Sequence, residues 1–300
     1  MRKLSEFGRL WTVRALQWPF TRMPRLVRWI PVFVLCGVIQ AAFTQPVLAQ
    51  APAAAAAVDD AAPQPTEPDF TLINLPTTLR LPRFKSNFHL THRFNGNLRD
   101  GSLGHQVSNL FGLDNGAAIG FEYRFAIATH VQLAAYRTNI DRETQFSAKF
   151  DPIAQGASMP VSLSGLVSVE GGNNFRRTKV PALGAVVSRK VGEIAALYAT
   201  PVWVHNSAIG TGATRETVFL GLGGRVHVRP AMYLVGEVSP RVGGYATSQP
   251  EYSFGLEGRV GGHVFQLNFS NTVGTTFLQT ASGGAAKSLF LGFNLARKFY

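Results

Sequence analysis

A-A-I-G-F-E-Y-R-F, residues 117–125, sorts its side chains into two sets. Ala117, Ile119, Phe121, Tyr123 and Phe125 hold the odd positions; Ala118, Gly120, Glu122 and Arg124 hold the even ones. In an extended chain successive side chains point to opposite faces, so period-2 sorting predicts a strand with one apolar and one polar face. Residues 252–260 repeat the pattern, with Tyr252, Phe254, Leu256 and Val260 against Ser253, Glu257 and Arg259. Residues 217–228 set Val218, Leu220, Leu222, Val226 and Val228 against Thr217, Gly221, Gly223, Arg225 and His227. Between the ends of the chain no helical period is sustained, and no apolar run is long enough for a spanning helix.

Working outward, the same texture predicts about twelve strands, within a range of ten to fourteen: 86–94, 117–127, 131–138, 143–150, 160–170, 180–190, 194–204, 217–228, 232–239, 251–260, 263–271 and 288–299. Nine to twelve residues suit a tilted strand crossing a hydrocarbon layer. Turns after alternate strands are tight, as at residues 128–130, 191–193, 229–231 and 261–262, whereas 95–116 and 272–287 are long. Tight turns on one side, long loops on the other and an even strand count describe an antiparallel up-and-down transmembrane barrel. Segment 151–159 is long for the tight side, and 139–142 is short for the other. Alternation does not by itself say whether the apolar faces point to lipid or to an enclosed cavity. Charge placement bears on the choice: Glu122, Arg124, Lys149, Arg225, Glu237, Glu257 and Arg259 all fall on polar faces. This fits a lumen lined by charges of both signs, with these as the lumen-facing candidates, and also fits a water-facing outer surface. The glycines among them are a puzzle for a water-facing surface, because glycine weakens a strand unless something packs closely against it.

The first 49 residues read as an export signal. Seven bases face one acid up to residue 28, an apolar run follows from Trp29 to Phe43, and Val47-Leu48-Ala49 offers small residues for cleavage after Ala49. The run includes Pro31, Gly37 and Gln40 and falls short of a membrane span. A start at Met23 would give a leader of ordinary proportions. The only cysteine, Cys36, lies in this leader and has Leu35 before it, so neither disulfides nor a lipid anchor are expected in the exported chain. Without the leader the net charge of +12 drops to about +6, spread along the chain, which argues against a nucleic-acid partner. Residues 50–72, rich in alanine and proline, are expected to be a disordered linker, with the barrel domain at 73–300.

The histidines, serines and glycine strings form no recognisable catalytic or metal-binding pattern. His89 and His92 are three apart in one strand and face opposite ways, so they cannot share a metal. His105, His130, His205, His227 and His263 are scattered, no G-x-S-x-G elbow is present, and Gly221-Leu222-Gly223-Gly224 lies within a strand rather than before a helix. No catalytic residues, metal or cofactor are expected. Glu122/Arg124 and Glu257/Arg259 repeat Glu-x-Arg on one face. They can line a selective channel, or pair and hold a plugged lumen shut.

The motifs I-N-L-P-T-T (residues 73–78), F-H-L-T-H-R-F (88–94), N-L-F-G-L-D-N-G-A (109–117) and L-G-F-N-L-A-R-K-F-Y (291–300), in this order, resemble a family of bacterial β-barrels, domain of unknown function 5777. The resemblance implies a barrel in the outer envelope and no particular activity. This chain departs from the pattern at its end, where Tyr300 follows the aromatic that would be last. Phe293, Leu295 and Phe299 share one face, and with Tyr300 they resemble the terminal signal by which the barrel assembly machinery recognises its clients. The expected partners are outer-membrane lipid, that machinery and periplasmic chaperones; the oligomeric state is open. The leading expectation is an outer-membrane barrel acting as a passive channel or a structural wall protein. Its rivals are a soluble periplasmic barrel holding a small apolar ligand, and a barrel-embedded lipid hydrolase, for which no Ser/His/acid cluster is found.

Overall fold

The computed structural model describes residues 66–208 and 214–300. The expected leader, its cleavage after Ala49, the start at Met23 and residues 50–65 lie outside the described residues.

One antiparallel sheet closes on itself. Its strands are β1 (Ser86–Asn97), β2 (Ala117–Ala128), β3 (Val131–Thr138), β4 (Thr144–Ile153), β5 (Ser162–Gly171), β6 (Val180–Val191), β7 (Ala195–Val204), β8 (Thr217–Arg229), β9 (Met232–Ser239), β10 (Arg241–Gly244), β11 (Glu251–Val260), β12 (His263–Ser270) and β13 (Phe290–Phe299). Sequence neighbours pair from β1 to β9 and from β11 to β13, β9 pairs with β11, and β1 pairs with β13 to seal the ring. Proline has no N–H for a ladder, so Pro240 interrupts one wall strand into β9 and β10, both of which pair with β8. The wall therefore has twelve strands. Two short helices, α1 (Leu103–Ser108) and α2 (Phe277–Ser282), lie in the long connections. Both ends of the barrel domain, before β1 and after β13, emerge on the side of the tight turns.

The outward faces settle the environment. Phe121, Tyr123, Leu133, Phe146, Phe150, Val167, Leu183, Leu197, Leu234, Phe254, Phe265 and Leu267 are all exposed. Asn87, Thr91, Arg93, Arg124, Lys149, Arg225, Glu237, Glu257 and Asn268, from inward positions, are buried. A water-soluble barrel has the opposite polarity; an apolar outside around a polar inside is the transmembrane arrangement. The inside is not uniformly polar, however. Leu166, Val180, Ala182, Val186, Val202, Val204 and Phe219 point inward and form an enclosed apolar cluster with Leu72, Leu75, Leu278 and Ala281.

Two expectations are corrected. Residues 66–72 are not a disordered linker: they are buried inside the barrel, and the first strand begins only at Ser86. The composition argument weighed alanine and proline for a chain in water, whereas Phe70, Leu72, Ile73 and Leu75 find an enclosed apolar seat. The last strand starts at Phe290, two residues later than expected, because the preceding connection folds over the barrel mouth.

Candidate functional site: a lumen filled by the chain's own N-terminal segment

Eight strands can fill their own interior with side chains, but twelve enclose more space than wall residues span. Here the space is taken by residues 66–82, which rise from the tight-turn end, reverse at Ile73-Asn74 and return. The reversal is held by the Leu72 N–H on the Leu75 carbonyl at 2.8 Å and the Thr77 N–H on the Phe70 carbonyl at 2.9 Å. An isolated bridge pairs Thr71 with Pro76.

Several of the expected lumen charges hold this hairpin. The Glu237 carboxylate accepts three backbone N–H groups at the tip: Asn74 at 2.8 Å, and Ile73 and Leu75 at 3.1 Å each. Lys149 donates to the Thr77 and Leu79 carbonyls, both at 2.8 Å, and pairs with Asp151 at 3.1 Å. Arg225 donates to the Thr71 carbonyl at 2.9 Å and forms a fully enclosed ion pair with Glu257 at 2.8 Å. Removing one partner of such a pair leaves an uncompensated charge out of water, so the two stabilise the site only together. Arg124 pairs with Glu122 on its own strand at 2.8 Å and stands over the Phe70 ring at 5.6 Å. Arg259 shares the inward face of Glu257 nearer the tight-turn end and is only partly buried. Six of the seven charges thus meet in the filled interior, and Glu257 pairs with Arg225 two strands away along the same stretch of wall.

Further holders were not singled out from the sequence. Arg93 donates to the Asn74 side-chain oxygen at 3.1 Å, and the Asn74 amide donates to Glu251 at 2.6 Å. Gln266 donates to the Leu72 carbonyl at 2.6 Å, and Asn294 to the Ile73 carbonyl at 2.9 Å. Arg93 and Glu251 sit on the inward faces that strand alternation defines, so the same signal could have found them. Gln266 and Asn294 carry no charge and gave no sign. The glycine puzzle resolves here: a Cβ on Gly221 would stand 2.6 Å from a Leu75 methyl, and one on Gly223 2.7 Å from a Leu72 methyl. These glycines make room for the hairpin.

The long-loop end is covered by the connection carrying α2. Thr276 caps the helix in a reciprocal capping box with Gln279, which turns Leu278 and Ala281 inward. The Tyr136 and Thr275 hydroxyls meet at 2.5 Å, Gln279 donates to Glu143 at 2.6 Å, and the Phe277 ring lies 6.5 Å from Phe219. Burial pushes the Glu143 carboxyl above its ordinary range, opposed by the Gln279 hydrogen bond. A small cavity of about 50 Å³ remains between hairpin and wall, with His89, Thr91, Glu122, Arg124, Gln145 and Lys149 among its lining residues. His89 is buried in the lumen, whereas His92 stacks outside on Phe293 at 4.7 Å. Among the described residues no group of three or more His, Asp or Glu could hold a metal ion.

At the C-terminus Asn294 and Ala296 are buried, Phe293 and Leu295 lie on the outer face, and Phe299 is exposed beside Arg297. Tyr300 follows the strand and is also exposed.

Fold and lumen together define a membrane-bound, twelve-stranded β-barrel whose interior is occupied by its own chain. The protein belongs to the family of membrane bound beta barrel domains of unknown function, DUF5777, whose model matches residues 69–299 and so includes most of the hairpin. Among solved structures it is similar to the NanC porin, at 6% identity and a TM-score of 0.47, over 72% of this chain and 100% of that one. An outer membrane channel from Pseudomonas putida F1 aligns at 12% identity and a TM-score of 0.46, over 73% and 97%. A mutant porin of Rh. blastica aligns at 12% identity and a TM-score of 0.33; the match covers 61% of this chain and 55% of the porin. No curated protein matches.

Proposed function

We propose that the protein is an outer-membrane barrel held closed by residues 66–82, acting as a wall element at rest and as a channel only when that hairpin leaves. The observation that carries this reading is the carboxylate of Glu237 on three main-chain N–H groups in the middle of the lumen. A vacant pore would not bury such groups. The outward apolar belt, the even strand count and the tight turns gathered on one side support the outer-membrane assignment, with lipid, the assembly machinery and periplasmic chaperones as partners. The same outward belt disfavours the soluble ligand-binding barrel, whose apolar faces would line a cavity.

The test is conductance in planar bilayers. The full chain is expected to be silent. Cysteines replacing Asn74 and Glu251, whose side-chain tips lie 2.6 Å apart, can be joined by a short bifunctional thiol cross-linker that locks the tip to the wall. Conditions that open the free protein should then leave the cross-linked one silent. Steady conductance from the cross-linked protein would overturn the reading. Export is checked by sequencing the N-terminus of the envelope protein, expected at Gln50.

A further inference from the structure

A segment that fills a lumen can be part of the wall or a ligand held by it, and the bonds tell the two apart. Most wall contacts to residues 66–82 end on main-chain atoms. Glu237 takes three consecutive N–H groups, Arg225, Gln266 and Asn294 reach three consecutive carbonyls, and Lys149 reaches two more. Such contacts recognise the shape of a reversing backbone whatever its side chains. Side chains add selection: Leu72 and Leu75 are seated on Gly223 and Gly221, the Asn74 amide bonds Glu251 and Arg93, and Glu67 accepts from the Tyr198 hydroxyl. Both ends of the segment also leave by the same mouth. Thr66 bonds the Gly192 carbonyl in the turn between β6 and β7, and the Phe84 N–H bonds the Ala126 carbonyl near the end of β2. A hairpin in this position can withdraw and return without threading and without breaking a wall pair.

We infer that the inner wall is a binding site for a peptide hairpin with leucines at the first and fourth positions of its turn, filled in cis by residues 66–82 and open to the same kind of peptide in trans from the tight-turn side. The inference rests on the proposed reading that this segment closes the lumen, and adds that the wall treats it as an exchangeable ligand.

The full chain tests it. A protease site inserted between Phe84 and Lys85 is cut after folding, which leaves the hairpin in place but untethered. A fluorescent synthetic peptide of residues 66–82 is then added, and its uptake into the folded, heat-modifiable band is followed up to temperatures just below unfolding. Uptake is expected in the cut protein, saturable and displaced by unlabelled peptide. The uncut protein should take up none, because the tethered copy competes at a high effective concentration. A peptide carrying Leu72→Asp and Leu75→Asp should compete roughly a hundredfold less well, about tenfold for each leucine lost from its seat. No uptake at any temperature, or equal competition by the double variant, overturns the inference. Conductance separates the two readings. A cut barrel that conducts after losing its segment but takes up no peptide keeps the closure reading and loses this one. A cut barrel that takes up peptide but stays silent once emptied keeps the peptide site and loses the closure.

Discussion

Glu237→Gln strikes the point where the hairpin is most firmly held. Two carboxylate oxygens now serve three donors, one taking Asn74 and the other taking Ile73 and Leu75. A glutamine keeps one oxygen and turns an NH2 group toward the remaining donor or donors. One orphaned buried N–H costs about 2 kcal/mol, and losing the charge weakens the two surviving bonds by about 1 kcal/mol each. The total of about 4 kcal/mol shifts the ratio of seated to withdrawn hairpin by roughly a thousandfold. Trypsin cleavage after Arg80 reads this population, because Leu81 is buried and the Arg80 guanidinium is bonded to the Asp151 carbonyl at 2.8 Å while the hairpin is seated. When opening and closing are fast, cleavage follows the equilibrium population of the open form. The variant should be cut far faster than the parent, and Asp114→Asn, in the connection between β1 and β2, should not differ from it. If Glu237→Gln folds to the same heat-modifiable species and is cut at the parental rate, the hairpin is not held as described.

Further outcomes follow from other contacts. Gly221→Val places a Cβ 2.6 Å from a Leu75 methyl, so it should unseat the hairpin by about 1–3 kcal/mol and raise cleavage after Arg80 without disturbing the wall. Val167→Arg, on the outer face in the middle of β5, should cost about 2–4 kcal/mol of barrel stability in lipid vesicles, measured by urea unfolding. Deleting Tyr300 should leave assembly near normal, whereas Phe299→Ser should lower the heat-modifiable fraction in the envelope. The opposite ranking would mean that the outward register of β13 is off by one residue. At Glu143, burial raises the carboxyl, so the docked α2 connection binds a proton more tightly than the undocked one. That contribution is complete below the ordinary glutamate value and is lost as pH rises through the raised one. Protection of the 277–282 amides, taken relative to their intrinsic exchange rate at each pH, should therefore rise as pH falls toward the ordinary glutamate value, and Glu143→Gln should flatten the trend.

The sequence by itself determined the wall. Alternation such as that of residues 117–125 is a property of neighbours along one strand, so face, register and most strand ends were legible locally; Val131–Thr138, Met232–Ser239 and Glu251–Val260 fall where period and turn residues put them. It also marked the inward charges, because a charge on the polar set of an alternating strand has only one place to go. It placed β6 but not its faces, because Leu183, Val186 and Val187 spread over both. What fills the ring was decided only by tertiary structure. Glu237 meets Ile73 across 164 residues of sequence, and Asn294 meets it across 221. Those partners come within reach only after β13 has paired with β1 and the ring has closed. Until then, residues 66–72 have the composition of a chain with nothing to fold against; the closed wall supplies both the apolar seat and the hydrogen-bond partners that order them.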